Sequence, residues 1–340
     1  MASGKDSGKR LGAFDFVKGI AIVLVVITHA RIFGGLPWQL LDIVPVAVPL
    51  FFVASGYLLY LRHPEGYGIG HLKSVFWRLI AIYVIFSLAA EALSDPARLA
   101  MPLAVIYDII VGAGGSGLYY FVPALVQLYI AYPLLARLFA NRKARVPVLV
   151  LALALSLIFD SVNSSVQVPA WNSNLPMLAF AGRYLFYFVA GMFICSLGLD
   201  FESKDAKTNP EAWKKQIAGL AVALAAYLAC IAGYASAYSQ VSEIAFFISA
   251  AFAFISLAYS CAFLQGAPIT MELAGIAELL GKNSLVIYLT HGFVIYLVLL
   301  PVIGWGARQG MLYLASAATL IISLGISLAF NYAYKRVQPA

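Results

Sequence analysis

The sequence predicts an all-α fold: a polytopic integral membrane bundle of about ten transmembrane helices, both termini cytoplasmic, with a short re-entrant or interfacial segment. Three observations predict it. Of 340 residues, 63% are hydrophobic and only 11% are charged, whereas soluble domains carry roughly 25% charged residues. The mean hydropathy is +0.90. Apolar runs long enough to cross a bilayer recur along the chain, and a helix is the element that satisfies its own backbone in lipid. The cations lie between those runs and favour one side. The net charge of +7 is thereby a topology signal, and no nucleic-acid partner is expected.

Ten spans are expected, at about 14–33, 43–61, 74–93, 117–138, 146–160, 177–197, 213–236, 242–265, 283–303 and 311–334. The division is a cytoplasmic tail, 1–13, and one membrane domain, 14–335. The tail, MASGKDSGKR, is basic, and no small-residue cleavage site follows the first span, which therefore reads as a retained signal-anchor. The fifth span is short and is expected to be a partly extended or thinly exposed crossing. Leu103–Val111 is too short to cross and leads into GAGGSG at 112–117, the pattern of a re-entrant or interfacial segment. Residues 269–280, ITMELAGIAELL, are amphipathic and are expected along the inner membrane surface. The loop from Asp200 to Lys215 mixes both charge signs and reads as a solvated linker. Cys195, Cys230 and Cys261 lie within apolar runs and imply no disulfide framework.

With both termini inside, seventeen of the twenty-two lysines and arginines fall on the cytoplasmic side. Arg31, Arg98, Arg183 and Arg308 fall outside, and Lys18 lies within the membrane near the inner face. An even span count and this bias agree.

Polar groups inside the spans are the candidates for function, because ionisable side chains in a membrane are costly. Lys18 and His29 are eleven positions apart, close to a whole number of turns, so they share one helix face about 16 Å apart along the axis. His29 could equally hydrogen-bond a neighbouring helix, and Lys18 could snorkel to the headgroups. Asp15, three residues before Lys18, could pair with it or cap the helix. In the second span, Ser55 and Gly56 first suggest close helix packing. Arg78 opens the third span near Lys73, as a topogenic charge or as an anion ligand. Ser284, Tyr288 and His291 recur at spacings of four and three, a polar face that should look into the bundle. Glu91, Asp95, Asp108, Asp160, Arg183 and Glu243 lie towards the outer side. Each is expected to be a solvated span-end charge, although together they leave room for a polar outer cavity. Trp171, Asn172 and Asn174 could contact a sugar, with interfacial anchoring the more common role for such a tryptophan. No metal- or nucleotide-binding motif is present, and no metal is expected.

The arrangement permits a reaction across the bilayer. Lys18, Arg78 and Lys73 could hold a phosphate-bearing donor at the inner face, and His29 could act as general base on a hydroxyl entering from outside. Four stretches add a resemblance. RLGAFDFVKGIAIVLVVITHA, VPLFFVASGYLL, GLYYFVPALVQLYIAYPLL and LGKNSLVIYLTH resemble, in order, segments of the membrane acyltransferase 3 family. Tyr119 stands where that family usually has tryptophan, Lys18 where it usually has arginine, and the basic cluster before the third span is reduced to Lys73 and Arg78.

The resemblance implies transfer of acetyl from cytoplasmic acetyl-CoA to a hydroxyl of an envelope glycan or glycolipid at the cell membrane. It makes His29 the catalytic residue and puts Lys18 in the place of the usual arginine. With the Lys18–His29 register and the polar face of the ninth span, Lys18, Arg78, Ser55, Tyr288 and His291 are expected along the acyl-CoA, and Asp15, Tyr119 and Ser284 in supporting roles. Any handover of the acetyl group is expected to finish within the membrane part or on a separate partner. The competing classes are a transporter of a small solute or lipid-linked precursor, in which the same polar groups form a path, and a silent scaffold for envelope assembly. The oligomeric state and the choice between acetyl and a larger acyl group stay open.

Overall fold

In lipid each buried peptide group must find its partner within the chain, and the apolar runs among the described residues do so by coiling into helices. The computed structural model describes residues 12–29, 46–94, 96–112, 119–165, 180–199, 201, 210–236, 240–264, 268–295 and 309–337. Among them are twelve α-helices, three 3-10 turns and no strand. The α-helices are α1 (Gly12–His29), α2 (Ala47–Arg62), α3 (Ile69–Ser94), α4 (Pro102–Val111), α5 (Phe121–Ala140) and α6 (Arg145–Ser165). They continue with α7 (Leu185–Ser196), α8 (Pro210–Ser236), α9 (Gln240–Leu264), α10 (Pro268–Lys282), α11 (Ser284–Phe293) and α12 (Gln309–Val337). Among the described residues six helical segments are long and apolar enough to cross a membrane, and five more are shorter apolar helices. Each of the ten expected spans holds one helix, and the two extra helices are the short segments singled out above.

The core is aromatic and lies where α1, α2, α5, α7, α9 and α11 meet. Phe14, Phe52, Tyr119, Tyr132, Phe139, Phe188 and Phe254 are all fully buried there. The outer helices α6, α8 and α12 expose Val150, Leu151, Val222, Leu228, Leu314 and Ile321. In a membrane protein such faces meet lipid and need no further cover.

Two crossings bring backbones into contact through glycine. A Cβ on Gly56 of α2 would lie 1.9 Å from the Phe188 carbonyl oxygen, and one on Gly191 of α7 would lie 2.0 Å from that of Val53. The packing role expected of the second span's small residues is therefore real at Gly56. Helix α10 meets α1 in the same way, through Gly19 and Gly281. Its small-residue side, Ala274, Ala277 and Gly281, is buried, while Met271, Leu273 and Ile276 are exposed. The amphipathy read as a membrane-surface pattern is thus also a packing face for the first helix.

The inner ends of α2 and α5 are tied by hydroxyls. Pro133 in α5 has no N–H, so the carbonyl of Tyr129 one turn earlier loses its helical donor. The Tyr67 hydroxyl donates to that carbonyl at 2.6 Å. Burial, and then neighbouring Tyr129, push the Tyr67 phenol above its ordinary value, so it stays protonated and able to donate. The Tyr132 hydroxyl donates into the same helix end, within reach of the carbonyls of His63 and Leu59, which also accept from the Gly66 and His63 N–H groups.

Two expectations are corrected. The fifth span is a continuous helix of 21 residues, Arg145–Ser165, and not partly extended. Its polar end is accommodated because Asp160 finds an ionic partner in Arg183. Glu91 and Asp108 are not solvated: they are 3% and 2% exposed. Asp108 lies on α4 beside Tyr83, whose hydroxyl donates to the Ile109 carbonyl. A short apolar helix docked on the bundle buries its carboxylate along with its apolar face. Asp95, Trp171, Asn172 and Asn174 lie outside the described residues.

Candidate active site

Helix α1 carries its two ionisable ends in different surroundings. At the inner end, Lys18 Nζ lies 2.7 Å from Asp15 Oδ1, with the lysine 22% and the aspartate 3% exposed. A buried carboxylate needs such a partner. Along the face towards His29, one and two turns on, Ile22 and Val25 are buried. Lys73 is exposed on α3, whereas the placement of the Arg78 side chain on the same helix lies outside what the structure describes.

At the outer end, the His29 and His291 rings are 5.2 Å apart, centroid to centroid, and tilted by 41°. The two residues are 262 positions apart in sequence, and helices α1 and α11 bring them together. His291 is completely buried. Its Nδ1 contacts the Tyr288 carbonyl, and a carbonyl can only accept, so Nδ1 carries the hydrogen. Its Nε2 makes no hydrogen bond among the described residues. The neutral ring therefore holds one committed nitrogen and one lone pair, a few ångströms from His29.

The remaining residues of the polar face support α11. Ser284 and Tyr288 are 8% and 5% exposed, so that face looks inward as its spacing requires. The Tyr288 ring lies against Phe121, Tyr119 and His291. Tyr119 is buried, and its hydroxyl donates to the Leu289 carbonyl at 2.7 Å. At the break between α10 and α11, Asn283 Oδ1 accepts from Ser327 and Asn331 of α12, both at 3.0 Å. Ser55 is half-buried on α2, facing the Tyr129 hydroxyl and away from the histidine pair's cavity.

A cavity of about 340 Å³ opens beside His29. Its walls come from the outer ends of α1, α2, α6, α7 and α9 and the start of α5, each on the side that the basic-residue bias assigns to the outside. The lining includes Tyr120, Asp160, Arg183, Tyr187 and Phe247. Arg183 Nε is 2.6 Å from Asp160 Oδ1. The 3-10 turn that presents Arg183 is held on both sides. Ala181 N–H donates to Gln127 Oε1 at 3.1 Å, and Ser156 Oγ donates to the Gly182 carbonyl while accepting from Phe186 N–H, both at 3.0 Å. Gly182 is needed there, since a Cβ would fall 2.3 Å from the Phe159 ring.

The sequence missed the aromatic part of this wall. Tyr120, Tyr187 and Phe247 sit on separate segments among 42 phenylalanines and tyrosines, and no spacing links them. The ion pair did leave a signal: opposite charges close the fifth span and open the sixth, across one outer loop. Among the described residues no group of histidine, cysteine and carboxylate side chains could hold a metal ion.

A membrane bundle with one histidine at the wall of an open cavity and a second, buried histidine packed behind it has the parts of a transferase acting inside the membrane. Residues 11–332 match the acyltransferase 3 family, described as an acyltransferase domain, and the chain belongs to that family. It is therefore a multi-pass membrane acyltransferase, which puts the transporter and scaffold readings behind the enzyme. No curated relative and no solved structure matches the chain.

Proposed function

We propose that the protein moves an acetyl group from cytoplasmic acetyl-CoA to a hydroxyl of an extracytoplasmic or lipid-linked carbohydrate, with His29 as the general base. The observation that carries this reading is the place of His29. It lines the outer cavity and touches His291 on its other side, on a helix whose inner end bears Lys18.

In this scheme His29 takes the proton of the acceptor hydroxyl as its oxygen attacks the thioester carbonyl. The tetrahedral intermediate collapses with loss of the CoA thiolate, which leaves with the proton that His29 returns. A histidine suits both halves because its unperturbed pKa lies near neutrality. Lys18 and Arg78 hold the CoA phosphates at the inner face, and Ser55, Tyr288 and His291 line the donor's way in. The Lys18 side chain, 22% exposed beside Asp15, is accessible for that contact.

His291 acts through His29. Its Nδ1–H is committed to a backbone carbonyl, so Nε2 offers a lone pair to an N–H of His29 after a rotation of that ring. This bond would fix the His29 tautomer and turn its basic nitrogen to the acceptor, as a second partner orients catalytic histidines elsewhere. His291→Ala is expected to lower transfer by about 10²-fold, the scale of a mispositioned catalytic group. Equal transfer by this variant would remove His291 from the scheme.

The reaction itself is tested in two steps. Acetyl-CoA should raise the melting temperature of the purified protein in a saturable way. Envelope glycans from cells with the protein should carry an acyl mass increment that glycans from cells without it lack. Indifference to acetyl-CoA together with identical glycan masses would overturn the proposal.

A further inference from the structure

The cavity beside His29 has polar equipment that a general base does not need. We infer that it is the acceptor site, and that Arg183 and Asp160 together grip two neighbouring hydroxyls of an uncharged sugar ring. This rests on the reaction proposed above, which requires a hydroxyl beside His29 but does not say what holds it.

The argument starts from the charges. The guanidinium reaches Asp160 through Nε, and the carboxylate answers through Oδ1, at 2.6 Å. Beyond Nε and Oδ1, the guanidinium carries two terminal amino groups and the carboxylate a second oxygen. Each side chain is partly exposed, 29% and 23%, and both line the cavity. The pair therefore presents donors and an acceptor side by side, with its charges already balanced. Adjacent hydroxyls, each able to donate and accept, match that set. A carboxylate or phosphate ligand would meet Asp160 as a like charge.

The other walls agree. Tyr187 and Phe247 stack at 5.0 Å and 7° and give the cavity an apolar aromatic side for the C–H groups of a ring. Few polar groups on an apolar wall is the usual composition of a small-ligand site. At about 340 Å³ the cavity lies near the lower end of the roughly 300–1,000 Å³ of such sites, which suits a single ring or a chain end. The 3-10 turn under Arg183 is fixed by Gln127 and Ser156, so the grip exists before the ligand arrives and little ordering is left to oppose binding.

The test uses the full chain in detergent, without acyl-CoA, titrated with neutral methyl hexopyranosides, their mono-deoxy analogues, a methyl uronoside and inorganic phosphate. Thermal stabilisation is the readout. At least one neutral glycoside should stabilise the wild type saturably, with a deoxy analogue weaker. Arg183→Gln and Asp160→Asn should each weaken binding by about ten- to a hundred-fold, the scale of a lost charge-assisted hydrogen bond. Because either change could loosen α6, Val48→Trp serves as a second variant. It fills the cavity from α2 without touching the ion pair, and should abolish glycoside binding while acetyl-CoA still stabilises the protein. Binding of phosphate or uronoside alone, no binding of any glycoside, or undiminished binding in Val48→Trp would each overturn the inference. If glycosides bind here and no acyl group moves, the reaction fails and this site stands. If transfer to glycan runs at full rate in Val48→Trp and Arg183→Gln, this site fails and the reaction stands.

Discussion

Replacing His29 by alanine is expected to lower acyl transfer by about 10²–10⁴-fold, the usual worth of a positioned general base. The protein should fold normally, because the ring lies at the wall of an open cavity and its loss removes no packed core group. Stabilisation by acetyl-CoA should survive, since the proposed phosphate contacts lie about 16 Å away at the other end of α1. A double variant sharpens the result. If His291 acts only through His29, then His29→Ala with His291→Ala should be no slower than His29→Ala alone, because residues acting as one unit are not additive. Measured rates of labelled acetyl transfer decide both points. A His29→Ala protein at the wild-type rate would sink the catalytic assignment, and a further drop in the double variant would give His291 an independent role.

Most of the helices were legible because lipid leaves the backbone so little choice. A run such as 213–236 can only coil, and α8 forms at Pro210–Ser236. Amphipathy also announced α10, and the spacing of Ser284, Tyr288 and His291 announced an inward face. What a one-dimensional pattern could not contain is who meets whom. Pro133 declares an orphaned carbonyl, yet nothing near it in sequence names Tyr67, 62 positions away from the Tyr129 carbonyl, as the donor. Glu91 and Asp108 look like span-end charges, and only the docking of neighbouring helices hides them.

The candidate site divides in the same way. His29, Lys18 and Asp15 share one helix, so their register could be read directly, and the Lys18–Asp15 pair forms as one of the two expected possibilities. The closeness of His29 to His291 depends on the packing of α1 against α11, and the cavity on the ends of several elements. Intramembrane polar residues therefore identify the participants, while helix packing decides their partnership.

That packing is itself testable at Gly281, where the largest stability effect is expected. A Cβ there would lie 1.7 Å from the Asp15 carbonyl oxygen and 2.9 Å from the Gly19 nitrogen, and one on Gly19 would lie 1.8 Å from the Ala277 carbonyl oxygen. These neighbours are backbone and cannot swing aside, so even one methyl must push α10 off α1. In an ordinary helix, glycine to alanine gains up to about 1 kcal/mol from propensity. Here Gly281→Ala should instead destabilise by about 1–3 kcal/mol, as overpacking does, and Gly281→Val by more. Gly275 on the same helix has nothing within 4 Å of its Cβ position, so Gly275→Ala should be neutral or stabilising and controls for propensity. Activity should fall with stability at Gly281. Helix α11 follows α10 after Asn283, and a displaced α10 carries His291 away from His29; a misplacement of about 1 Å can cost about 10²-fold in rate. Thermal melts and transfer rates on the three variants are sufficient. If Gly281→Ala melts no lower than Gly275→Ala, α1 and α10 are not in backbone contact, and the geometry that brings the two histidines together would have to come from elsewhere in the bundle.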